Sequence, residues 1–139
     1  MIAIDSNVLI YRIIGDEAAL NPDARKIVQV AKNKFNELYG KHERLAIPLP
    51  VLTEFANYLR RKFGTADANA KIGDLIADGN FTIVEAKEEF IHMAASIAEE
   101  HDADFTDSLI FTIMYANNIK KILTYDKDFE KFPGIEIIK

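Results

Sequence analysis

The chain has 139 residues, of which 49% are hydrophobic, and it contains no cysteine. This length and composition are typical of one globular domain with a sizeable core, and the lack of cysteine excludes disulfides, Cys-ligated zinc and thiol chemistry. The formal net charge of -5 argues against binding nucleic acid through a broad basic surface, so a polyanionic substrate would need local basic groups or bound cations.

Strand-like and helix-like segments alternate along the chain, a pattern typical of a parallel sheet covered by helices. In the first half, Asn21 and Pro22 have the residue types that begin a helix, and apolar residues recur after them at helical spacing. The expected buried face of that helix consists of Ile27, Val28, Val30, Ala31, Phe35 and Leu38. The elements predicted for this half are strand Ile2–Ile4, helix Ser6–Ile14 ended by Gly15, helix Pro22–Gly40, strand Arg44–Ile47 and a helix begun by Pro48 or Pro50.

Gly64 interrupts the chain, and Thr65 or Asp67 is expected to cap the next helix. The other predicted elements are that helix through Ala77, strand Phe81–Val84, helix Lys87–His101, a helix containing Leu109, Ile110, Ile113 and Met114, strand Lys121–Thr124 and strand Ile135–Ile138. No repeat, low-complexity tract or linker divides the sequence. We predict a single α/β domain over residues 1–139, with a parallel sheet of about four to five strands and helices on both faces.

Two of the predicted strands run directly into an acidic residue. Ile2–Ile4 is followed by Asp5, and the strand that contains Ile122 and Leu123 leads to Asp126. Ligands of α/β folds bind at the carboxyl ends of parallel strands, where residues distant in sequence meet. Helices of such folds begin at the same edge, and two further acids lie near the starts of apolar helical patterns. The four candidates for this edge are Asp5, Glu54, Asp107 and Asp126.

Each of these acids also has a local structural explanation. Asp5 and Asp126 could cap the helix or turn that follows them, and a carboxylate near a helix N-terminus, such as Glu54, interacts favourably with the helix dipole. Asp104 and Asp107 share a helix face, so one could be the cap and the other a first-turn acid. The residues alone leave these local roles open beside a joint one.

A joint role requires a cation, because converging carboxylates raise one another's pKa unless positive charge neutralises them. Mg²⁺ prefers oxygen ligands and is commonly held by one or two carboxylates together with phosphate oxygens of a substrate. One or two such ions can promote in-line hydrolysis of a phosphodiester without a protein nucleophile. The acids therefore indicate metal-dependent phosphodiester hydrolysis as a hypothesis.

Four motifs resemble those of PIN domains, in the same order along the chain. They are Ile4 to Tyr11 (IDSNVLIY), Thr53-Glu54, Thr106 to Ile110 (TDSLI) and Leu123 to Phe129 (LTYDKDF). The compact size resembles the VapC-type toxins of toxin–antitoxin pairs. The resemblance implies a parallel sheet with helices on both faces and an endoribonuclease activity that depends on Mg²⁺ or Mn²⁺. It also implies RNA as the substrate, a small antitoxin protein as a partner and a homodimer.

The same resemblance implies roles for individual residues. Asp5 and Asp107 would be the principal direct metal ligands, while Glu54 and Asp126 would act through water or a second ion. Arg12, shortly after the first motif, is the candidate for contact with an RNA phosphate, although a solvated helix face would explain it too. The accessory candidates are Asn7, Asp104, Thr124 and Asp128, of which Asn7 and Thr124 could orient a ligand or a water.

Other functions are weighed against the same sequence. The three histidines lack the paired spacing of a zinc site, and the six glycines fall singly rather than in a phosphate-binding loop. The main alternative is a non-catalytic PIN-like scaffold that binds RNA or protein, which the presence of all four acids disfavours. Cleavage of branched DNA is disfavoured because no long insertion is available to clasp a junction. The residues from Arg12 to Gly40 match no motif, so they do not identify a partner or an RNA.

The sequence predicts no contact with a membrane. The longest suggestive apolar stretch, Ser108 to Ala116, is far shorter than the roughly 20 residues of a spanning helix. Residues Met1 to Asp5 reach a charge at once, with no basic region before the apolar residues, which is unlike a signal peptide. We therefore expect a soluble protein of the cytoplasm.

Overall fold

The computed structural model describes residues 1–13, 20–41 and 43–139. Its strands are β1 (Ile2–Ile4), β2 (Leu45–Pro48), β3 (Phe81–Val84), β4 (Lys121–Leu123) and β5 (Glu136–Ile138). They form one parallel sheet in the order β3-β2-β1-β4-β5. The strand order reverses beside β1, since β2 and β3 lie on one side of it and β4 and β5 on the other. A reversal of this kind opens a crevice at the carboxyl ends of the two central strands.

Six α-helices are present in the described part of the chain. They are α1 (Ser6–Ile13), α2 (Pro22–Gly40), α3 (Leu49–Phe63), α4 (Thr65–Ala77), α5 (Glu88–His101) and α6 (Phe105–Ala116), and a short 3₁₀ helix covers Lys127–Lys131. Helix α1 packs on α2 and α3, α3 packs on α4, and α5 packs on α6. The predicted fold class, a parallel α/β sheet with covering helices, is confirmed. Among the described helices, none has the length and apolarity to cross a bilayer.

The core lies along β1, β2 and β4 and the helix α6. Every residue of β1 and β2 is buried, as expected for central parallel strands that are covered on both faces. Helix α6 is buried around most of its circumference, and even its polar residues Ser108 and Thr112 are fully buried. Their hydroxyls donate to the carbonyl oxygens of Asp104 and Ser108, each at 2.7 Å, so burying them leaves no unpaired polar group.

The buried face of α2 is narrower than the sequence predicted. Its N-cap is as expected, because the Asn21 side chain accepts a hydrogen bond from the Ala24 backbone N–H. However, Ile27 and Val30 are exposed to solvent rather than buried. The buried residues of α2 form one row, which consists of Val28, Ala31, Phe35 and Leu38.

The prediction that Thr65 or Asp67 caps α4 is wrong. The N-cap is Gly64, at φ +85°, and no side chain provides a capping hydrogen bond. Gly64 allows α3 to end and α4 to begin at one residue, because this positive φ is favourable for glycine. Helix α3 begins at Leu49, after Pro48 at its N-cap and with Pro50 in its first turn. The predicted end of α1 at Ile14 and Gly15 lies outside the described residues.

Helix α6 offers a matched test of the core. Ile113 is fully buried and Tyr115, two residues later, is 71% exposed. We expect Ile113→Ala to lower the free energy of unfolding by about 2–5 kcal/mol, since it leaves a cavity in a packed interior. Tyr115→Ala should change it by less than about 0.5 kcal/mol. Urea unfolding followed by circular dichroism measures both, and similar losses in the two variants would contradict the burial of α6.

Candidate metal centre

Asp5 lies directly after β1, at the reversal of strand order. Ile4 pairs with Leu123 of β4, and the Asp5 N–H donates to the Leu123 carbonyl at 3.1 Å. The Asp5 side chain is 5% exposed; its Oδ1 accepts from the Ser6 backbone N–H and its Oδ2 from the Thr124 hydroxyl, each at 2.7 Å. The Oδ1 bond caps α1, but the Oδ2 atom of Asp5 bonds to Thr124, which is 119 positions away in the chain. Capping of α1 therefore explains only one of the two hydrogen bonds to the Asp5 carboxylate.

Thr124 connects two of the candidate acids. It is fully buried, and its hydroxyl accepts a hydrogen bond from the Asp126 backbone N–H at 3.0 Å while it donates to Asp5. The Asp126 Oδ1 in turn accepts from the Asp128 N–H at 2.9 Å and caps the 3₁₀ helix. The local capping explanation therefore applies to the Oδ1 atom of Asp126. It does not account for the Oδ2 atom.

Asp104 and Asp107 are the cap and the first-turn acid of α6, which is one of the arrangements that the sequence allowed. Asp104 is the N-cap of α6, where its Oδ1 accepts from the Asp107 N–H at 2.7 Å. Asp107 is a first-turn acid, and its side chain is 8% exposed. Carboxylate oxygens of Asp104, Asp107 and Asp128 all lie within 4.8 Å of one another, a spacing that could hold a metal ion.

Glu54 reaches the same region from α3. It is exposed in the second turn of that helix, and its Oε2 accepts a hydrogen bond from the Ser6 hydroxyl at 2.7 Å. Glu54 caps no helix, so local secondary structure does not account for where its carboxylate lies. The fold therefore brings together all four acids that the sequence nominated, with Asp104 and Asp128 beside them.

The charges of this cluster act on Asp5. Burial raises the pKa of its carboxyl group from 3.8 to about 6. Hydrogen bonds from Thr124 and Ser6 oppose that rise, whereas the negative charges of Glu54 and Asp126 add to it. The hydrogen bonds from Thr124 and Ser6 therefore stabilise the ionised form of Asp5 at a buried position that disfavours negative charge.

Asp107 is perturbed further in the same direction. Burial raises its pKa to about 8, and the charges of Asp104, Asp126 and Asp5 contribute to the rise. Within the described ranges, no lysine, arginine or histidine forms an ion pair with any acid of the cluster. Concentrated negative charge without a basic partner is the electrostatic setting that a bound cation would neutralise.

The donor set fits a hard divalent ion such as Mg²⁺ or Mn²⁺. All the converging side chains offer oxygen, and no histidine or cysteine belongs to the group. The Oδ1 atom of Asn7, in the first turn of α1, is buried and has no hydrogen-bond partner among the described residues. A buried carbonyl oxygen without a partner, two residues after Asp5 in the chain, is a candidate oxygen donor for an ion or a coordinated water.

Arg12 is a candidate that the structure does not bring to the cluster. It lies seven positions after Asp5, about 10 Å farther along the chain at helical rise. Its guanidinium lies over the rings of Phe35 and Tyr39, 4.6 and 5.9 Å from their centroids. Hydrogen bonds from Asn80 and Tyr39 lower the pKa of Asp78, which precedes β3 at the amino edge of the sheet, and the positive charge of Arg12 makes a smaller contribution in the same direction. The exposed Arg12 side chain thus has aromatic neighbours on α2, and a contact with RNA stays a prediction.

Ser6 is a contributor that the sequence reasoning missed. Its hydroxyl bonds to Glu54 and its backbone N–H to Asp5. The only signal in the sequence is a hydroxyl residue directly after the first acid, which reads equally well as an ordinary start of a helix. The partner of that hydroxyl lies 48 positions away, and nothing in the order of residues identifies it.

Comparison with known proteins decides the family. A sequence profile of the PIN domain matches residues 2–135. The chain belongs to the PIN domain family. The resemblance seen in the four motifs is thereby confirmed over nearly the whole length of this PIN domain.

The similar proteins are VapC proteins and toxin–antitoxin complexes. Ribonuclease VapC6 of Methanocaldococcus jannaschii is 25% identical over 145 residues, which cover 98% of this chain and 95% of the relative. The crystal structure of VapC20 from Mycobacterium tuberculosis, a toxin that cleaves the sarcin-ricin loop, has a TM-score of 0.73 at 17% identity and covers 97% of both chains. A toxin–antitoxin complex from Klebsiella pneumoniae has a TM-score of 0.69 at 16% identity, covering 100% of this chain and 97% of the other. At these identities the structural likeness establishes the fold.

The raised pKa of Asp107 predicts how stability depends on pH. Between the unfolded pKa near 3.8 and the folded value of about 8, the folded protein binds more protons than the unfolded chain, so stability falls as pH rises through this window. The Asp107→Asn variant lacks this titrating carboxyl group, so its stability should not show this contribution to the pH dependence. From pH 5 to pH 9 in EDTA, we expect the melting temperature of the wild type to fall roughly 5 °C more than that of the variant.

The control for this prediction is Asp102→Asn, which removes one negative charge from an exposed position just before α6. It should follow the wild type across the same pH range. Equal pH dependence in the wild type and in Asp107→Asn would show that Asp107 carries no buried-charge penalty.

Proposed function

We propose that this PIN domain is an endoribonuclease that requires Mg²⁺ or Mn²⁺ and serves as the toxin of a type II toxin–antitoxin pair in the cytoplasm. In this proposal, residues 1–139 form a single functional domain. The observation that supports it most strongly is the burial of Asp5 and Asp107 in one acidic cluster at the reversal of strand order, without a basic partner among the described residues. The ribonuclease and toxin names of its relatives agree with this chemistry.

The acids divide by how directly they would hold the ion. We assign Asp5 and Asp107 as the principal ligands, because they are the most buried and have the most strongly raised pKa. Glu54 and Asp126 would act through water or a second ion. When bound, the divalent ion supplies Lewis acidity that activates water and stabilises negative charge on the phosphodiester.

Other residues would maintain this arrangement. Thr124 orients Asp5 by donating to Oδ2, and its bond from the Asp126 N–H directs the hydroxyl proton to Asp5. Asn7 would orient a ligand or a water through its unpartnered Oδ1. Asp104 and Asp128 add negative charge beside Asp107.

The outer rim of the cluster suits a large substrate. Glu54, Asp104 and Asp128 are exposed, so the site is open to solvent rather than enclosed in a small cavity. The chain carries a net charge of -5, and its acidic rim would repel a phosphodiester backbone unless cations were bound. Metal binding and RNA binding should therefore be coupled in this protein.

Purified protein should cleave RNA with Mg²⁺ or Mn²⁺ and lose that activity in EDTA. We expect Asp5→Asn to lower the cleavage rate by more than the 10–100-fold typical of outer-sphere changes, since it weakens a direct ligand. The control is Asp67→Asn, an equal charge change on the exposed surface of α4. Gel electrophoresis of a labelled single-stranded RNA and of a stem-loop of the sarcin-ricin type measures the rates.

Two outcomes of that assay would contradict the proposal. Full cleavage in EDTA, or in Asp5→Asn, would remove the metal mechanism. Tight RNA binding with no metal-dependent cleavage of either RNA would instead favour a non-catalytic scaffold.

A small antitoxin is the proposed protein partner, and one cleft offers room for part of it. The cleft has a volume of about 630 Å³ and lies between α1, α3 and α4. Its lining combines apolar side chains with two cations and two acids: Ile13, Phe55, Phe63, Leu75, Phe81, Arg12, Lys71, Asp74 and Asp78. An amphipathic helix of a partner binds to grooves of this composition. We also propose that the chain forms a homodimer, and this proposal does not depend on the cleft.

Co-expression with the product of a small reading frame adjacent in the genome should yield a stable complex. We expect Phe63→Glu to weaken that complex at least tenfold, because it places a charge in the apolar part of the cleft. Tyr115→Glu, at an exposed position on α6, is the control. Calorimetry measures affinity, and light scattering measures whether the chain alone is a dimer. An unchanged affinity for Phe63→Glu would exclude the cleft as the docking site.

A further inference from the structure

We infer that Ser6 is a positioning residue that holds Glu54 beside Asp5 and so determines how tightly the site binds a divalent cation. This inference rests on the proposed metal site. Ser6 is the first residue of α1, and it bonds to two different carboxylates. Its N–H donates to Asp5 Oδ1 and its Oγ to Glu54 Oε2, each at 2.7 Å. One small residue therefore connects the end of β1 with the middle of α3.

Glu54 needs such a donor because nothing else described in the structure restrains it. Its side chain is exposed, makes no ion pair among the described residues and accepts its one recorded hydrogen bond from Ser6. A glutamate on a helix surface populates several rotamers. Those that point away from Asp5 are favoured by charge, because two carboxylates repel each other; burial is the main cause of the raised pKa of Asp5, and the charge of Glu54 adds to it.

The Ser6 hydroxyl opposes that repulsion. A hydrogen bond from a hydroxyl to an ionised carboxylate is among the stronger kinds in proteins, and it constrains the direction of the side chain. The alternative role for a serine here, capping α1, falls to Asp5, because Ser6 is the first residue inside the helix and the Asp5 Oδ1 accepts from its N–H. The recorded partner of the Ser6 hydroxyl is a carboxylate of the candidate site, so its role concerns that site rather than the helix.

The test compares Ser6→Ala with Ser6→Thr in the full chain. We expect Ser6→Ala to weaken Mn²⁺ binding about fivefold by calorimetry without RNA, since Glu54 is then free to turn away from Asp5. Ser6→Thr keeps the hydroxyl and should bind Mn²⁺ within about twofold of the wild type. In EDTA, the melting temperature of Ser6→Ala should equal or exceed that of the wild type, because the two acids can separate. A purely structural serine would lower it.

The same substitution in a Glu54→Ala variant tests whether Ser6 acts through Glu54. In Glu54→Ala the hydroxyl has no carboxylate to hold, so adding Ser6→Ala should not weaken Mn²⁺ binding further. Wild-type affinity in Ser6→Ala, or an equal additional loss in the Glu54→Ala background, would overturn the inference, as would a wild type that binds no Mn²⁺. A wild type that binds Mn²⁺ but cuts no RNA would instead overturn the proposed function and leave the role of Ser6 supported by the binding data.

Discussion

Mutual repulsion among carboxylates at one edge of a parallel sheet is the constraint on which the site depends. Asp5 follows the central strand β1, and the paired register of β1 with β4 brings the residues after Leu123 beside it. Helices that begin at this edge add Glu54 and Asp107. Burial then makes each charge more costly, as the raised pKa values of Asp5 and Asp107 show. The fold can bear this energetic cost because the buried hydrophobic cluster around the site is large.

Backbone groups at helix ends make this concentration of acid achievable. The first N–H groups of a helix lack partners within it, and an acid placed there satisfies them at little cost. Asp104 and Asp126 each accept such a bond with one oxygen. The acids thus have a structural role and a candidate chemical one at once. Local capping therefore accounts for one oxygen of each of these acids and does not exclude the proposed metal role.

The elements and the four acids could be predicted from the sequence because both depend on short-range patterns. Alternating apolar segments identify strands and helices, and an acid at the end of a buried strand is visible in the order of residues. The errors concern features that depend on three-dimensional context. Ile27 and Val30 have the spacing of a buried face, but no element covers them. Thr65 and Asp67 are good caps by residue type, yet the conformation of Gly64 begins α4 one residue earlier.

The role of Ser6 could not be predicted for a related reason. A serine after an aspartate favours a helix start in any sequence, whereas its bond to Glu54 exists only once α3 lies beside α1. The same limitation explains Arg12, whose position after the first motif indicated nearness to Asp5, while the rise of α1 takes it to the aromatic rings of α2. Acids can be nominated from their strand ends, but the groups that orient them depend on which helices become neighbours.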